Sequence, residues 1–576
     1  MNPNKRPARL ICTALAAALL AACSPPPHDN PADAAKAASA AGAASNTGIV
    51  PPPPARPAAE ADAAASKAHA GPAVRRQYAP QTYVAQPAAA SLPAPSGYYA
   101  PPQAEERDNY ARYRDNPVTA AQEQPVSTFG VDVDTGSYTN VRRLLNEGRL
   151  PPAGAVRAEE FINYFDYGYA APDSRERPFS IVTELSAAPW NPARQLLKIG
   201  IQGYRVAPQD IPAANLVFLV DTSGSMADRD KLPLIKGALK QLVAQLRPQD
   251  RVAIVTYAGQ ASMTLDSTPG DQKARINAAI DELRAAGSTN GGAGLDLAYA
   301  QAAKGFVKGG VNRILLASDG DFNVGATDLD DLKDKIARQR QGGIALTTLG
   351  VGGGNFNDAL AVQLADAGNG SYHYLDSLRE ARKVLAAQMS STLLTIARDV
   401  KIQVEFNPAV VAEYRLIGYE KRALAREDFN NDRVDAGEIG AGANVTALYE
   451  ITPVGAAGAR LDPLRYGQPA AAAEPDGELA FVRVRYKLPG ATGSKLVEQP
   501  VTRVDAPAAG SDGMRRAAAA AAFAQWLRGG KYLDGYTPAQ ISALARGARG
   551  QDAQGLNAEL AALVEMAAGL GTPAAP

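Results

Sequence analysis

Leu216-Val217-Phe218-Leu219-Val220 is an unbroken apolar run that stops at Asp221. A run this short reads as a strand covered on both faces, the condition of a central strand in a parallel sheet. From 214 to 396 strand-like and helical periods largely alternate. Helical periodicity covers 232–246, and 252–257 is strand-like. Helices follow at 271–285 and 293–306, then a strand at 313–317 and a helix at 329–340. A strand at 344–351, a helix at 357–367, a short strand at 372–375 and a long helix over 378–396 complete the series. Strands alternating with helices imply an α/β, doubly wound, Rossmann-like sheet over 214–396. In such sheets ligands bind beyond the carboxyl ends of the strands.

Chemistry-bearing residues fall at those ends. Asp221-Thr222-Ser223-Gly224-Ser225 follows the first buried strand, and Ser318-Asp319-Gly320 follows the strand at 313–317. Thr289 lies in the loop Gly287-Ser288-Thr289-Asn290 between two helices. Converging on one edge, these segments offer the carboxylates of Asp221 and Asp319 and the hydroxyls of Ser223, Ser225 and Thr289. All are hard oxygen donors, suited to Mg²⁺, Mn²⁺ or Ca²⁺ and not to a soft metal.

An Asp-x-Ser-x-Ser loop after a strand, a loop Thr and an Asp after a later strand resemble the metal-ion-dependent adhesion site of von Willebrand factor A domains. Asp221 to Met226, Lys231 to Leu242, Asp250-Arg251-Val252 and Gly287 to Leu295 extend the likeness. The resemblance implies that Asp221, Ser223 and Ser225 surround a metal. It implies too that Thr289 can ligate directly and that Asp319 acts directly or through water. Hydroxyl ligands are neutral, so a dication, Mg²⁺ foremost, would stay only partly neutralised and keep water. A protein partner could replace one water with a carboxylate, giving metal-dependent protein–protein interaction or adhesion. Against this stand two plainer readings. The Asp and Ser residues could merely cap the next helix, or the domain could work as a metal-independent envelope scaffold.

The amino terminus reads as a targeting segment. Lys5, Arg6 and Arg9 precede a short apolar run, and Leu20-Ala21-Ala22-Cys23 follows. This resembles the lipobox of bacterial lipoproteins, which implies a signal peptide over 1–22, lipid on the Cys23 thiol and attachment to the membrane through it. Ser24 resembles the outer-membrane sorting choice of a Gram-negative cell, so the expected place is the cell envelope, facing the periplasm or the surface. Cys12 and Cys23 are the only cysteines, so the mature fold holds no disulfide and no thiolate site. With three His in the chain, a His-rich zinc site is equally unsupported. Lys+Arg and Asp+Glu each number 59, which leaves no basic excess for nucleic acid. Residues 23–125 are dominated by Ala and Pro and read as a disordered tether.

On either side of 214–396 the pattern is β-rich. Strands are expected at 126–133, 179–186 and 196–202, with short helices at 140–147 and 156–165. Beyond the α/β domain come strands at 400–406, 445–451 and 479–486, then helices at 514–527, 538–545 and 556–567. Phe129 to Asn140, Glu159 to Tyr167 and Tyr414 to Ile451 resemble the companion segments of a bacterial lipoprotein family that contains such A domains. Residues 126–213 and 397–576 are therefore expected to pair into one β-rich unit with the A domain inserted. Asp428, Asn430, Asp432, Asp435 and Glu438 imitate a calcium loop, but Arg433 stands where Gly is needed, so a solvated acidic turn is expected. Asp132 and Asp134 imitate hydrolase loops. Aspartic-protease chemistry needs a second such loop, which this chain lacks. No enzyme is expected: Gly-x-Ser-x-Gly is absent and His373 shows no evident nucleophile.

Overall fold

A computed structural model describes residues 107–573, apart from 175, 321–328, 463–464, 466–476, 503–508, 549, 551 and 553. The signal peptide, Cys23, Ser24 and tether residues up to 106 lie outside the described residues.

The α/β domain is built on six strands in the order Tyr372–Tyr374, Ala345–Gly350, Val311–Ser318, Ala214–Asp221, Arg251–Tyr257 and Ala261–Pro269. All neighbours are parallel except the last pair. Every residue of Ala214–Asp221 is buried, because alternate side chains enter two different cores. Leu216, Phe218 and Val220 pack with Ile235, Leu239 and Leu242 of the helix Leu232–Gln245. Val217 and Leu219 face the other way, onto Leu295, Ala298 and Ala302 of the helix Gly291–Lys304. The antiparallel edge strand Ala261–Pro269 escapes the sequence pattern because only Leu265 and Thr268 in it are buried.

The expected long helix over 378–396 is instead broken. Leu378–Arg382 is α-helical, Lys383–Ala387 forms a π-turn and Met389–Leu393 a last short turn. At Thr395 the chain is already a strand, which runs to Phe406. Leu393-Leu394-Thr395-Ile396 sets three apolar residues around one Thr and fits either period, so sheet pairing and not local pattern decides its state.

That strand joins the two flanks. The strand Gly437–Gly440 pairs with its first half, over 395–400, and Val126–Gly130 with its second, over 401–405. On its other side lies Glu478–Lys487, followed by Lys495–Thr502. A second sheet runs Thr119–Ala120, Val411–Ile417, Asn444–Pro453, Asn191–Gly203, Phe179–Ala188. The two sheets share one core, in which Phe129, Ile199, Ile201, Ile402, Val404, Tyr449 and Val482 are all buried. Strands from before and after the inserted domain thus form one β-rich unit, as their number on each side implied.

The helices Asp512–Leu527, Pro538–Gly547 and Leu556–Leu570 pack with Gly136–Asn146 and Ala158–Asn163. The Ala517 to Ala522 stretch is buried all round, which small side chains permit at close helix approach. Among the described residues no helix is long and apolar enough to cross a membrane.

Residues 107–125, assigned above to the tether, belong to the folded part. Asp108 Oδ1 accepts from Phe356 N–H at 2.8 Å, and Asn116 Nδ2 donates to the carbonyls of Leu416 and Gly418 at 3.1 and 2.7 Å. Asp108 to Asn116 reads Asp-Asn-Tyr-Ala-Arg-Tyr-Arg-Asp-Asn, a polar and aromatic stretch hidden inside an Ala/Pro average.

Asp132, Asp134 and Glu160 are three buried carboxylates whose oxygens lie within 4.8 Å of one another. Lys421 fills the space between them, its Nζ 2.9 Å from Asp132, 3.3 Å from Asp134 and 3.4 Å from Glu160. Arg422 adds a contact to Asp132 at 3.1 Å. Burial alone would raise the Asp132 carboxyl, yet Arg422 and Lys421 hold it well below the usual range. Burial, with the Asp132 charge beside it, pushes Asp134 up to about 8, and burial with Glu420 nearby pushes Glu159 up to about 7.

Lys421→Met leaves three buried carboxylates without their ammonium and should cost about 3–5 kcal/mol in a urea melt; a loss within experimental error would mean that the cluster adds little. Asp134 supplies a second test. The native state keeps a proton there that the unfolded chain releases near 3.8. Its contribution is thus full in acid and lost as pH rises through about 8. Between about pH 6 and pH 9 wild type should therefore lose more melting temperature than Asp134→Asn, and parallel curves would refute the assignment.

Candidate metal centre

The parallel register sets the site. Val220 pairs with Ala317, so Asp221 and Ser318 end neighbouring strands side by side, and Tyr257 ends the strand beyond Asp221. Asp221 is fully buried. Its Oδ1 accepts from Ser223 N–H at 2.8 Å and its Oδ2 from Ser318 Oγ at 3.2 Å. These bonds fix the carboxylate before any ligand arrives. Burial nonetheless pushes its pKa up to about 6, with the Asp319 charge also raising it.

Ser223 Oγ lies 3.0 Å from Ser225 Oγ. Neither serine side chain caps the short helical turn Gly224–Ala227, whose N-cap makes no side-chain hydrogen bond. The plain capping reading therefore does not describe these residues. The loop carrying Thr289 is clamped to the serine loop by two backbone bonds, Gly224 N–H to Gly287 O at 2.9 Å and Ala286 N–H to Thr222 O at 2.8 Å. Thr289 itself is half-buried, two residues beyond the clamp.

Asp319 is fully buried and follows Ser318. Its Oδ2 accepts from Lys231 Nζ at 3.0 Å. Gly320, the next residue, has φ +88°, and a Cβ there would collide with the backbone of Phe356 and Asn357. The tight turn that aims Asp319 inward thus needs glycine. The structure brings Asp221, Ser223, Ser225 and Asp319 to one strand edge, with the Thr289 loop fastened beside them. All of the donors are oxygens, which fits a hard dication. Sequence reasoning placed Lys231 in a stretch that carries the family likeness but gave it no role at the site. The signal was present: a cation at the start of the helix Leu232–Gln245 opposes the helix dipole, which favours anions there.

The remaining candidates fall elsewhere. Asp132 and Asp134 are 2% exposed and engaged by Lys421, and Asp134 Oδ1 also accepts from Tyr372 N–H at 2.8 Å. His373 does have a hydroxyl neighbour, Ser371 Oγ at 2.9 Å from its Nε2. Burial pushes that imidazole down to about 4, and no hydrogen-bond partner orients its Nδ1. In the acidic turn, Asp435 binds Arg340 at 2.6 Å and Glu438 accepts from Asn369 at 2.6 Å. Part of the turn is therefore fastened to the α/β domain instead of being only solvated.

A doubly wound sheet with this loop set at its carboxyl edge is a von Willebrand factor type A domain, and the sequence model of that family matches residues 215–387. A second model, described as von Willebrand factor, matches 104–198, and a third, Uncharacterized protein YfbK, C-terminal, matches 391–570. The protein named Uncharacterized protein YfbK of Escherichia coli is 52% identical over 470 residues, 80% of this chain and 81% of that one. The chain therefore belongs to the bacterial family of type A domain proteins that carry the YfbK carboxy-terminal domain. Uncharacterized protein sll0103 of Synechocystis is 30% identical over 186 residues, 32% of this chain and 43% of that one. Among solved structures, the von Willebrand factor type A protein from Catenulispora acidiphila is 16% identical, with a TM-score of 0.38 over 66% of this chain and 89% of that one.

Gly320→Ala should lower stability by more than about 1 kcal/mol, since a left-handed residue gains a side chain with no space for it. Chemical denaturation checks this, and an unchanged midpoint would mean that the turn relaxes freely.

Proposed function

We propose that this is a lipid-anchored envelope protein whose A domain binds a divalent metal and, through it, a carboxylate of a partner protein. The observation that carries the reading is the grouping of Asp221, Ser223, Ser225 and Asp319 at one strand edge, with the two serine hydroxyls 3.0 Å apart. Side chains already oriented by their own hydrogen bonds need little rearrangement on binding. Mg²⁺ keeps waters that a partner's carboxylate can replace, and Mn²⁺ and Ca²⁺ suit the same donors. Type A domains are general modules of protein interaction, which supports the second half of the reading. Lipid on Cys23 would provide the membrane attachment, and Ser24 the outer-membrane destination.

The Lys231 contact favours a second reading, a metal-independent scaffold. An ammonium 3.0 Å from Asp319 already answers one of the two site carboxylates without an ion. The protein is proposed not to be an enzyme, because Asp132 and Asp134 are occupied by the lysine that joins the flanks.

Calorimetric titration of Mg²⁺, Mn²⁺ and Ca²⁺ into the full chain separates the two readings. Saturable binding that disappears in Ser223→Ala/Ser225→Ala is expected. Heats that are absent from both proteins, or the same in both, would shift the conclusion to the scaffold.

A further inference from the structure

Three charged groups are buried at the site: Asp221 and Asp319, both fully buried, and Lys231, 5% exposed. Together they carry one net negative charge. A dication added to them leaves one net positive charge, before any partner arrives. A comparable site of two carboxylates and no lysine would be neutral with the same ion.

The ammonium is held in place. Lys231 lies just before the helix Leu232–Gln245, and its own N–H donates to the Asp228 carbonyl at 3.1 Å. Its side chain then crosses Gly352, which has φ +67°. A Cβ on that glycine would come within 2.6 Å of Lys231 Cγ and 2.9 Å of its Cδ. Only the bare backbone of glycine leaves the passage open. The Gly352 carbonyl is itself fixed, accepting from Tyr374 Oη at 2.5 Å. A side chain with so little lateral freedom delivers its charge to one place, Asp319 Oδ2 at 3.0 Å.

We infer that Lys231 is a built-in counter-charge that makes metal and anionic partner bind together, each weakly without the other. The inference rests on the proposed metal site and adds a regulator to it. Coulomb repulsion between the ammonium and a nearby dication weakens the ion's hold, and burial leaves little water to screen it. An incoming carboxylate removes the surplus positive charge, so it raises metal affinity, and by linkage the metal raises affinity for the carboxylate to the same degree. Lys231 is thus a positioning and charge-setting residue, not a metal ligand.

The test uses the full chain as wild type, Lys231→Met and Lys231→Arg, titrated with Mn²⁺ with and without acetate as a minimal carboxylate. Lys231→Met should bind Mn²⁺ about tenfold more tightly than wild type, the scale of removing one charge from a partly screened site. Acetate should strengthen Mn²⁺ binding to wild type and Lys231→Arg more than to Lys231→Met. Because Lys231→Met strips a buried carboxylate of its partner, thermal melts across the Mn²⁺ series accompany the calorimetry. A variant unstable alone and rescued by Mn²⁺ at concentrations that leave wild type unaffected supports the inference as well. Binding by Lys231→Met no tighter than by wild type, or an equal effect of acetate on both, would overturn it while leaving the metal site standing. Mn²⁺ bound by none of the three would bring down both the site and the inference. Mn²⁺ bound by Lys231→Met alone would show the lysine acting as a block.

Discussion

Asp132, Asp134 and Glu160 precede the inserted domain and Lys421 follows it, 261 positions after Glu160. Three carboxyl groups buried together repel one another, and the cluster meets this with the Lys421 ammonium and with the proton kept on Asp134. Lys421 therefore ties the second flank to the first through buried charge. The same closure is made in backbone hydrogen bonds, where Val126–Gly130 lies antiparallel on the strand that leaves the A domain. Phe129 sits opposite Ile402 in that register and is fully buried against Tyr419 and Tyr449. Charge, register and apolar packing thus meet at one junction, and the A domain is held by both of its ends.

It is held along one side as well. Tyr372 donates its N–H to Asp134 and its Oη to Asp358 at 2.7 Å, while Arg157 reaches Asp358 at 2.6 Å. The ring of Tyr372 lies where a Cβ on Gly136 would be, so the turn Asp134-Thr135-Gly136 is shaped by packing. Thr139 Oγ1 donates to the Tyr374 carbonyl at 2.7 Å. Arg142 spans Asp376, Glu380 and Glu559, tying the strand's far end to the carboxy-terminal helices. The A domain is mounted on its companions through buried charge as much as through apolar area. Buried ion pairs of this kind resist removal of one partner far more than they add net stability.

How much of this could be read from the chain depends on the length scale of each interaction. The central strands were legible because double-sided burial writes itself as a continuous apolar run, and the site because Asp221, Ser223 and Ser225 are neighbours in sequence. Thr289 and Asp319 needed the topology that carries them to the same edge. The edge strand Ala261–Pro269 left no signal, since one exposed face and few buried residues give no clear period. Residues 393–396 were read as helix because a short, mostly apolar stretch suits either state, and the deciding contact, with Gly437–Gly440, lies some forty residues away. Lys421, Arg422 and Asp358 were invisible as partners: nothing local to a lysine names the carboxylates that it will meet.

Lys231 shows the same principle at the candidate metal edge. The loop of residues 350–356 carries Gly352, and the companion segments bracket it from three directions. Asp108 accepts from Phe356 N–H at 2.8 Å, the Arg143 guanidinium lies against Gly353, and Tyr374, itself held by Thr139, donates to Gly352. A continuous line of contacts therefore runs from the amino-terminal companion helix through Tyr374 and Gly352 to Lys231 and Asp319. Contiguity alone does not transmit free energy; it does fix where the ammonium can go. The residues that position the A domain and those that set the charge at its candidate metal edge thus belong to one connected structure.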